Sequence, residues 1–190
     1  MKAAVLGYGN IGSGVVQVLE ENRDLIAAKV GQPIEVKYVL DLRDIPGDPY
    51  ESCLVKDNQV IVDDPEVEMV VEAMGGTSPA YEYVTAALLA GKHVATSNKA
   101  LVAKHGTELL AIAAEKNINF QFEASVGGGI PIIRPLNSCI TADDVDEITG
   151  ILNGTTNFML TKMAKEGVDY DSVLKEAQAL GYAEANPEAD

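Results

Sequence analysis

Along the first 125 positions, short apolar runs alternate with amphipathic stretches. Lys2–Leu6 is an apolar run of the kind that forms a strand buried on both faces. From Asn10, the apolar positions Ile11, Val15, Val18 and Leu19 recur at helical spacing and predict one amphipathic helix ending before Gly31. Ile34–Leu40 predicts a second strand, rich in β-branched and aromatic residues and closed by Asp41. Pro46, Gly47 and Pro49 mark 44–57 as a turn-rich surface excursion. Asp64-Pro65 is a cap and first-turn pair, and Met69–Ala73 follows as a buried strand. Ser78-Pro79 opens a helix that Gly91 closes. His93–Thr96, Ala100–Glu115 and Asn119–Phe122 then predict strand, helix and strand.

That alternation predicts an α/β fold, a Rossmann-type doubly wound parallel sheet. The pattern changes at Gly127-Gly128-Gly129. Pro131 begins a short helix, and Val145–Leu152 alternates as a half-exposed antiparallel strand would. Helices are expected near Thr156–Lys165 and Asp171–Leu180, the second stopped by Gly181. A boundary near residue 130 separates a parallel α/β domain, 1–130, from the beginning of an α+β domain, 131–190.

Gly7-Tyr8-Gly9-Asn10-Ile11-Gly12 fits G-x-G-x-x-G, and it lies between a predicted strand and a predicted helix. Gly7 permits the tight turn, Gly9 lets backbone approach a pyrophosphate, and Gly12 lets the helix pack on the strand. The helix N-terminus adds unpaired N–H groups and partial positive charge. Asp41 ends the next strand, where a carboxylate accepts hydrogen bonds from an adenosine ribose and repels a 2′-phosphate. Arg43 is placed to reach such a phosphate, so both NAD and NADP are candidate cofactors, with NAD slightly favoured.

Fourteen basic residues against 29 acidic ones give a formal charge of -15, which argues against nucleic acid and anionic membranes as partners. It also opposes an anionic cofactor at long range, so binding must rest on local geometry. No apolar run approaches the roughly 20 residues of a membrane span, and no signal segment is evident. The two cysteines, Cys53 and Cys139, form no ligand pattern and suit a reducing, cytoplasmic setting.

A Rossmann fold alone leaves the reaction open. Four later segments narrow it: Thr96-Ser97-Asn98-Lys99-Ala100, Glu123–Pro131 (EASVGGGIP), Gly150–Phe158 (GILNGTTNF) and Gly181–Pro187 (GYAEANP). In this order they resemble homoserine dehydrogenases, and the resemblance covers essentially the whole chain. It implies interconversion of aspartate 4-semialdehyde and L-homoserine with NAD or NADP, by a homodimer joined through the second domain. By the same resemblance, Asn10, Ile11, Gly75, Gly76, Thr77, Thr96, Ser97 and Gly181 contact the cofactor. Lys99 stands near the nicotinamide, where an ammonium would hold the substrate carboxylate or help a proton leave, and burial would lower its pKa. Glu123, Val126, Gly128 and Ile130 would offer backbone carbonyls to a monovalent cation such as sodium. Thr155 and Glu184 face the substrate, with Glu184 suited to its amino group.

The chain departs from the family's pattern from Asn186 onward. An aspartate and, four residues later, the catalytic lysine are expected beyond Asp190, and Asn186 stands where an aspartate is common. On that basis the 190 residues are expected to bind dinucleotide weakly or moderately and to turn over substrate very slowly. Two alternatives stay open at this point. One is a semialdehyde oxidoreductase using Cys139 as a thiolate, although no neighbouring cation activates it. The other is a non-catalytic dinucleotide-sensing module.

Overall fold

The computed structural model describes residues 1–140 and 142–183. It divides into two compact units, Met1–Cys139 and Ile140–Asp190. The expected boundary near residue 130 and this division lie on either side of the helix Ile133–Cys139.

The first unit is built on six parallel strands: β1 (Lys2–Leu6), β2 (Glu35–Leu40), β3 (Leu54–Val55), β4 (Val67–Glu72), β5 (His93–Thr96) and β6 (Phe120–Gln121). Their order is β3-β2-β1-β4-β5-β6, so β1 is central and the order reverses beside it. Ala3, Ala4, Val5 and Leu6 are all 0% exposed, which explains why β1 carries no polar position after Lys2. The crossovers are α1 (Asn10–Glu21) and α2 (Arg23–Val30), α3 (Asn58–Asp63), α4 (Ala80–Leu89) and α5 (Lys99–Lys116). Leu88 of α4 and Leu101 and Leu109 of α5 join Leu6, Val70, Val94 and Phe120 in one core. The doubly wound parallel sheet expected from the alternation is the fold that forms.

Three local expectations are corrected. The single helix predicted from Asn10 to Gly31 is two, because Asn22 leaves helical geometry (φ -110°, ψ 20°) and its side-chain amide donates to the Val18 carbonyl at 3.1 Å. Asparagine competes with the backbone in this way and favours helix ends. The excursion 44–57 contains a 3-10 turn, Glu51–Cys53, and then pairs Leu54 and Val55 with β2 as an edge strand. Asp64 begins no helix. The helix in this region is α3, capped by Asp57, whose carboxylate accepts from the Gln59 N–H at 2.9 Å. Asp64 instead receives the Glu66 N–H and pairs with Lys37 at 2.5 Å in a turn before β4.

After β6 come α6 (Ala124–Gly127) and α7 (Ile133–Cys139). In the second unit, α8 (Gly154–Glu166) and α9 (Tyr170–Ala179) pack through Met159, Val173, Ala177 and Ala183. Lys162 bridges them to Glu176 at 2.5 Å. The strand predicted at Val145–Leu152 is absent; these residues are irregular, with Val145, Ile148, Ile151 and Leu152 exposed. A strand needs a hydrogen-bonding partner, and among the described residues of this unit there is no other strand.

Replacing Leu109, 0% exposed on α5, with alanine empties part of the core. Leu109→Ala should lower the stability of the first unit by about 2–5 kcal/mol in urea unfolding followed by far-ultraviolet circular dichroism. A loss below about 1 kcal/mol would contradict the placement of α5 in that core.

Candidate functional site

The carboxyl ends of the parallel strands share one edge of the sheet, and the loops there assemble most of the residues singled out in the sequence. At its centre is the turn from β1 into α1. Gly7 has φ +90°, and its N–H donates to the Leu40 carbonyl at 2.8 Å. A β-carbon on Gly7 would meet the Ala73 carbonyl oxygen and Met74 Cγ at 3.0 Å. A β-carbon on Gly12 would overlap the Gly7 carbonyl oxygen, so glycine is what lets α1 begin this close to the turn. Gly9 differs: its φ is -84°, and no atom lies within 4 Å of where its β-carbon would stand. Neither backbone conformation nor packing within the chain requires glycine there. That is the arrangement expected where an incoming group approaches the backbone. Gly9 also gives α1 no side-chain cap, so no capping side chain takes up its first-turn N–H groups.

Asp41 adjoins this turn and is already well supplied with donors. Its Oδ2 accepts from the Tyr8 N–H and from Arg43 Nη2, each at 2.9 Å. Its Oδ1 accepts from the Arg43 N–H at 2.9 Å and from Nε at 3.0 Å. The Arg43 guanidinium, helped by the two backbone donors, holds the Asp41 carboxyl well below the ordinary carboxylate range against the opposing effect of burial. Asp41 and Arg43 are therefore one bidentate pair lying over Tyr8. A ribose hydroxyl would share Asp41 with Arg43, and a 2′-phosphate would draw the exposed Arg43 away from it.

The loops after β4 and β5 are joined by a residue the sequence had not singled out. Glu72, the last residue of β4, is 0% exposed. Its carboxylate accepts from the Thr96 hydroxyl, from the Met74 N–H at 2.7 Å and from Asn98 Nδ2 at 3.3 Å. Asn98 Nδ2 also donates to the Gly76 carbonyl at 2.6 Å, while its Oδ1 caps α5 through the Leu101 N–H at 3.0 Å. Candidate residues Gly75, Gly76, Thr77, Thr96, Ser97 and Lys99 thus lie on two loops tied to one carboxylate. The sequence signal was a lone acidic residue in the apolar run Met69–Ala73. Lys99, the first residue of α5, is exposed, which corrects the expectation that it is buried.

Between these loops and α1 is a cleft of about 270 Å³, whose lining includes Ile11, Val71, Glu72, Thr96, Ser97 and Glu123. A larger hollow of about 580 Å³ lies along α1 beside Pro49 and Tyr50, but Glu20 and Glu21 line it and would repel phosphates.

Glu123 sits just before α6, and its side chain accepts from the Ile132 N–H, from the Ile133 N–H at 2.8 Å and from the Arg134 N–H at 2.9 Å. Burial raises its pKa, and these three donors outweigh that effect and hold it low. Its carbonyl accepts from the Val126 N–H at 3.2 Å, which leaves one lone pair for a cation. Gly128, at φ +59° and ψ -117°, reverses the chain between Val126 and Ile130. Among the described residues no cluster of acidic, histidine or cysteine side chains could hold a metal, so a cation here would depend on carbonyls. In the second unit the buried Thr155 hydroxyl donates to the Tyr182 carbonyl at 2.5 Å, just after Gly181 turns the chain at φ +77°. The structure therefore joins Thr155 to the Gly181 turn. Glu184 lies outside the described residues.

Residues 7–123 match the family model of the homoserine dehydrogenase NAD-binding domain, and residues 131–190 match that of homoserine dehydrogenase itself. The chain belongs to the homoserine dehydrogenase family. It is 44% identical over 197 aligned positions to homoserine dehydrogenase of Bacillus subtilis, and 42% over 191 to that of Pseudomonas aeruginosa. Each alignment covers 100% of the chain; the chain spans 45% and 44% of those relatives' lengths. The crystal structure of a homoserine dehydrogenase from Thiobacillus denitrificans superposes with TM-score 0.90 at 43% identity, covering 100% of this chain and 44% of that one. A hyperthermophilic archaeal homoserine dehydrogenase in complex with NADPH gives TM-score 0.83 at 28% identity, covering 100% and 64%. Cys139 is exposed at the end of α7 and does not line the cleft.

Two outcomes follow from the glycine turn and Asp41. Gly12→Ala should lower stability by about 1–3 kcal/mol, because the methyl group forces α1 away from the Gly7 carbonyl. Thermal melting checks this, and an unchanged melting temperature would contradict the close approach. Asp41 binds its proton less readily folded than unfolded, so its pairing stabilises the fold fully above about pH 5. That contribution is lost as pH falls through the depressed folded-state value. Stability of the wild type should therefore fall more steeply below about pH 4 than that of Asp41→Asn; parallel curves would contradict the pairing.

Proposed function

We propose that this chain binds NAD or NADP across the carboxyl edge of its sheet and supplies the nucleotide-binding part, and the start of the substrate part, of an enzyme interconverting aspartate 4-semialdehyde and L-homoserine. The observation that carries this is the β1–glycine turn–α1 junction, with Gly9 open to solvent and a carboxylate at the end of β2, inside a chain of this family. The pyrophosphate would lie against Gly9, Asn10 and Ile11, drawn by the first-turn N–H groups of α1. This local attraction has to overcome the net charge of -15. Asp41 and Arg43 would meet the adenosine ribose, and the loops Gly75–Thr77 and Thr96–Ser97 would hold the nicotinamide half.

A bound nicotinamide supplies or accepts the hydride. The chain's own residues orient the ring and shield it from water beside Ile11, Val71 and Ala95. Lys99 would hold the substrate carboxylate or take part in the proton transfer, as a charged side chain at the start of α5. Thr155, Gly181 and Glu184 would meet the substrate side, with Glu184 on the amino group. The carbonyls of Glu123, Val126, Gly128 and Ile130 would hold a monovalent cation such as sodium, which would stiffen the connection between α6 and α7. We further propose a cytoplasmic homodimer. Among the described residues no helix is long and apolar enough to cross a membrane.

Titration calorimetry of the chain with NADH and NADPH tests the proposal. Both should bind, with dissociation constants weaker than about 1 μM. Gly9→Val should weaken each at least about tenfold by blocking the pyrophosphate's approach, with the melting temperature unchanged. Undetectable binding of either cofactor at millimolar concentration would overturn the proposal. Cofactor-dependent binding of L-homoserine would support the enzymatic role over a dinucleotide sensor.

A further inference from the structure

The cleft at the carboxyl edge has an apolar surface with acidic residues in its wall. Two of its lining residues are acidic, Glu72 and Glu123, and none is basic. Glu123 spends its charge on the three N–H groups that lead into α7. Glu72 is different: it forms none of the ion pairs among the described residues, and it is fully buried.

The partners of Glu72 nevertheless favour its ionised form. Thr96 Oγ1 already accepts from the Asn98 N–H at 2.9 Å, which directs its own proton to Glu72. The Met74 N–H and the Asn98 amide bring two further donors to the same carboxylate. An acceptor-only group satisfies three donors, whereas a protonated acid would add a fourth hydrogen to the cluster. Burial holds the Glu72 carboxyl above the ordinary glutamate range, and the three donors offset part of that effect. Three neutral donors thus converge on one carboxylate in the wall of an apolar cleft, where charges interact more strongly than in water.

We propose that Glu72 makes this cleft selective for the oxidation state of the nicotinamide, favouring the cationic oxidised ring over the neutral reduced one. The inference rests on the cofactor assignment proposed above and adds a charge preference to it. Glu72 is a selectivity residue in this account, and it also positions the loops at Met74–Gly76 and Thr96–Asn98. The two duties are separable. Glu72→Gln keeps the shape, can still accept from the Met74 N–H and Asn98, and can donate to Thr96 Oγ1, but removes the charge.

Dissociation constants for NAD+ and NADH, measured at pH 8 by calorimetry for wild type and Glu72→Gln, test this. The expected result is a fall of about three- to thirtyfold in the preference for NAD+ over NADH, carried mainly by weaker NAD+ binding. Equal weakening of both forms, or no change, would overturn the charge preference and leave the cofactor assignment standing. Where only NADP+ and NADPH bind, the same preference is read on that pair; if the wild type binds none of the four, the cofactor assignment fails and the proposal fails with it. Should Glu72→Gln not fold, carboxyl-carbon NMR of the wild type gives the same answer. By linkage, NAD+ must lower the Glu72 pKa relative to NADH, and equal values in the two complexes would overturn the proposal.

Discussion

Where α1 leaves β1, the helix starts so close to the turn that no side chain fits between Gly12 and the Gly7 carbonyl. This approach places the N-terminus of α1 at the middle of the sheet's carboxyl edge, because β1 is the central strand. The strand order reverses there, with β2 on one side and β4 on the other, leaving a crevice between their loops. Asp41 reaches the turn from β2, and the loop at Ala73 and Met74 reaches Gly7 from β4.

Charge is distributed along the sheet in keeping with this. Near the amino end of β4, the buried Lys92 donates to the Asp64 and Val67 carbonyls at 2.7 and 2.9 Å. At the carboxyl end of the same strand, the buried Glu72 gathers N–H and O–H donors. Each buried charge is satisfied by polar groups that the ends of the strands leave over, the condition under which burial is tolerable. The carboxyl edge gains rigidity from this, since one carboxylate and one asparagine fix two loops and the start of α5.

The sequence was most informative where the physics is local. Buried parallel strands read as apolar runs, so β1, β2, β4 and β5 were evident to within a residue or two. Glycine spacing is equally local, which made the turn at Gly7–Gly12 recognisable. Short elements were harder. The two residues of β3 and the six of α3 carry too little periodicity to stand out, and their existence depends on β2 and on the core around Ile61. The alternation at Val145–Leu152 suggested a strand, but alternation records only a preference, and pairing requires a second strand.

Hydrophobic patterning and glycine spacing by themselves determined the doubly wound fold and the dinucleotide-type turn, and the later motifs pointed to the family by resemblance. Tertiary structure alone decided how the site is organised. It showed that Asp41 is paired with Arg43, and that Glu72 rather than Lys99 is the buried titratable group at the carboxyl edge. The reason is range. Turns and strand signals are written within a few neighbouring residues, whereas Glu72, Thr96 and Asn98 meet only after the sheet brings β4 and β5 together across more than twenty positions of chain.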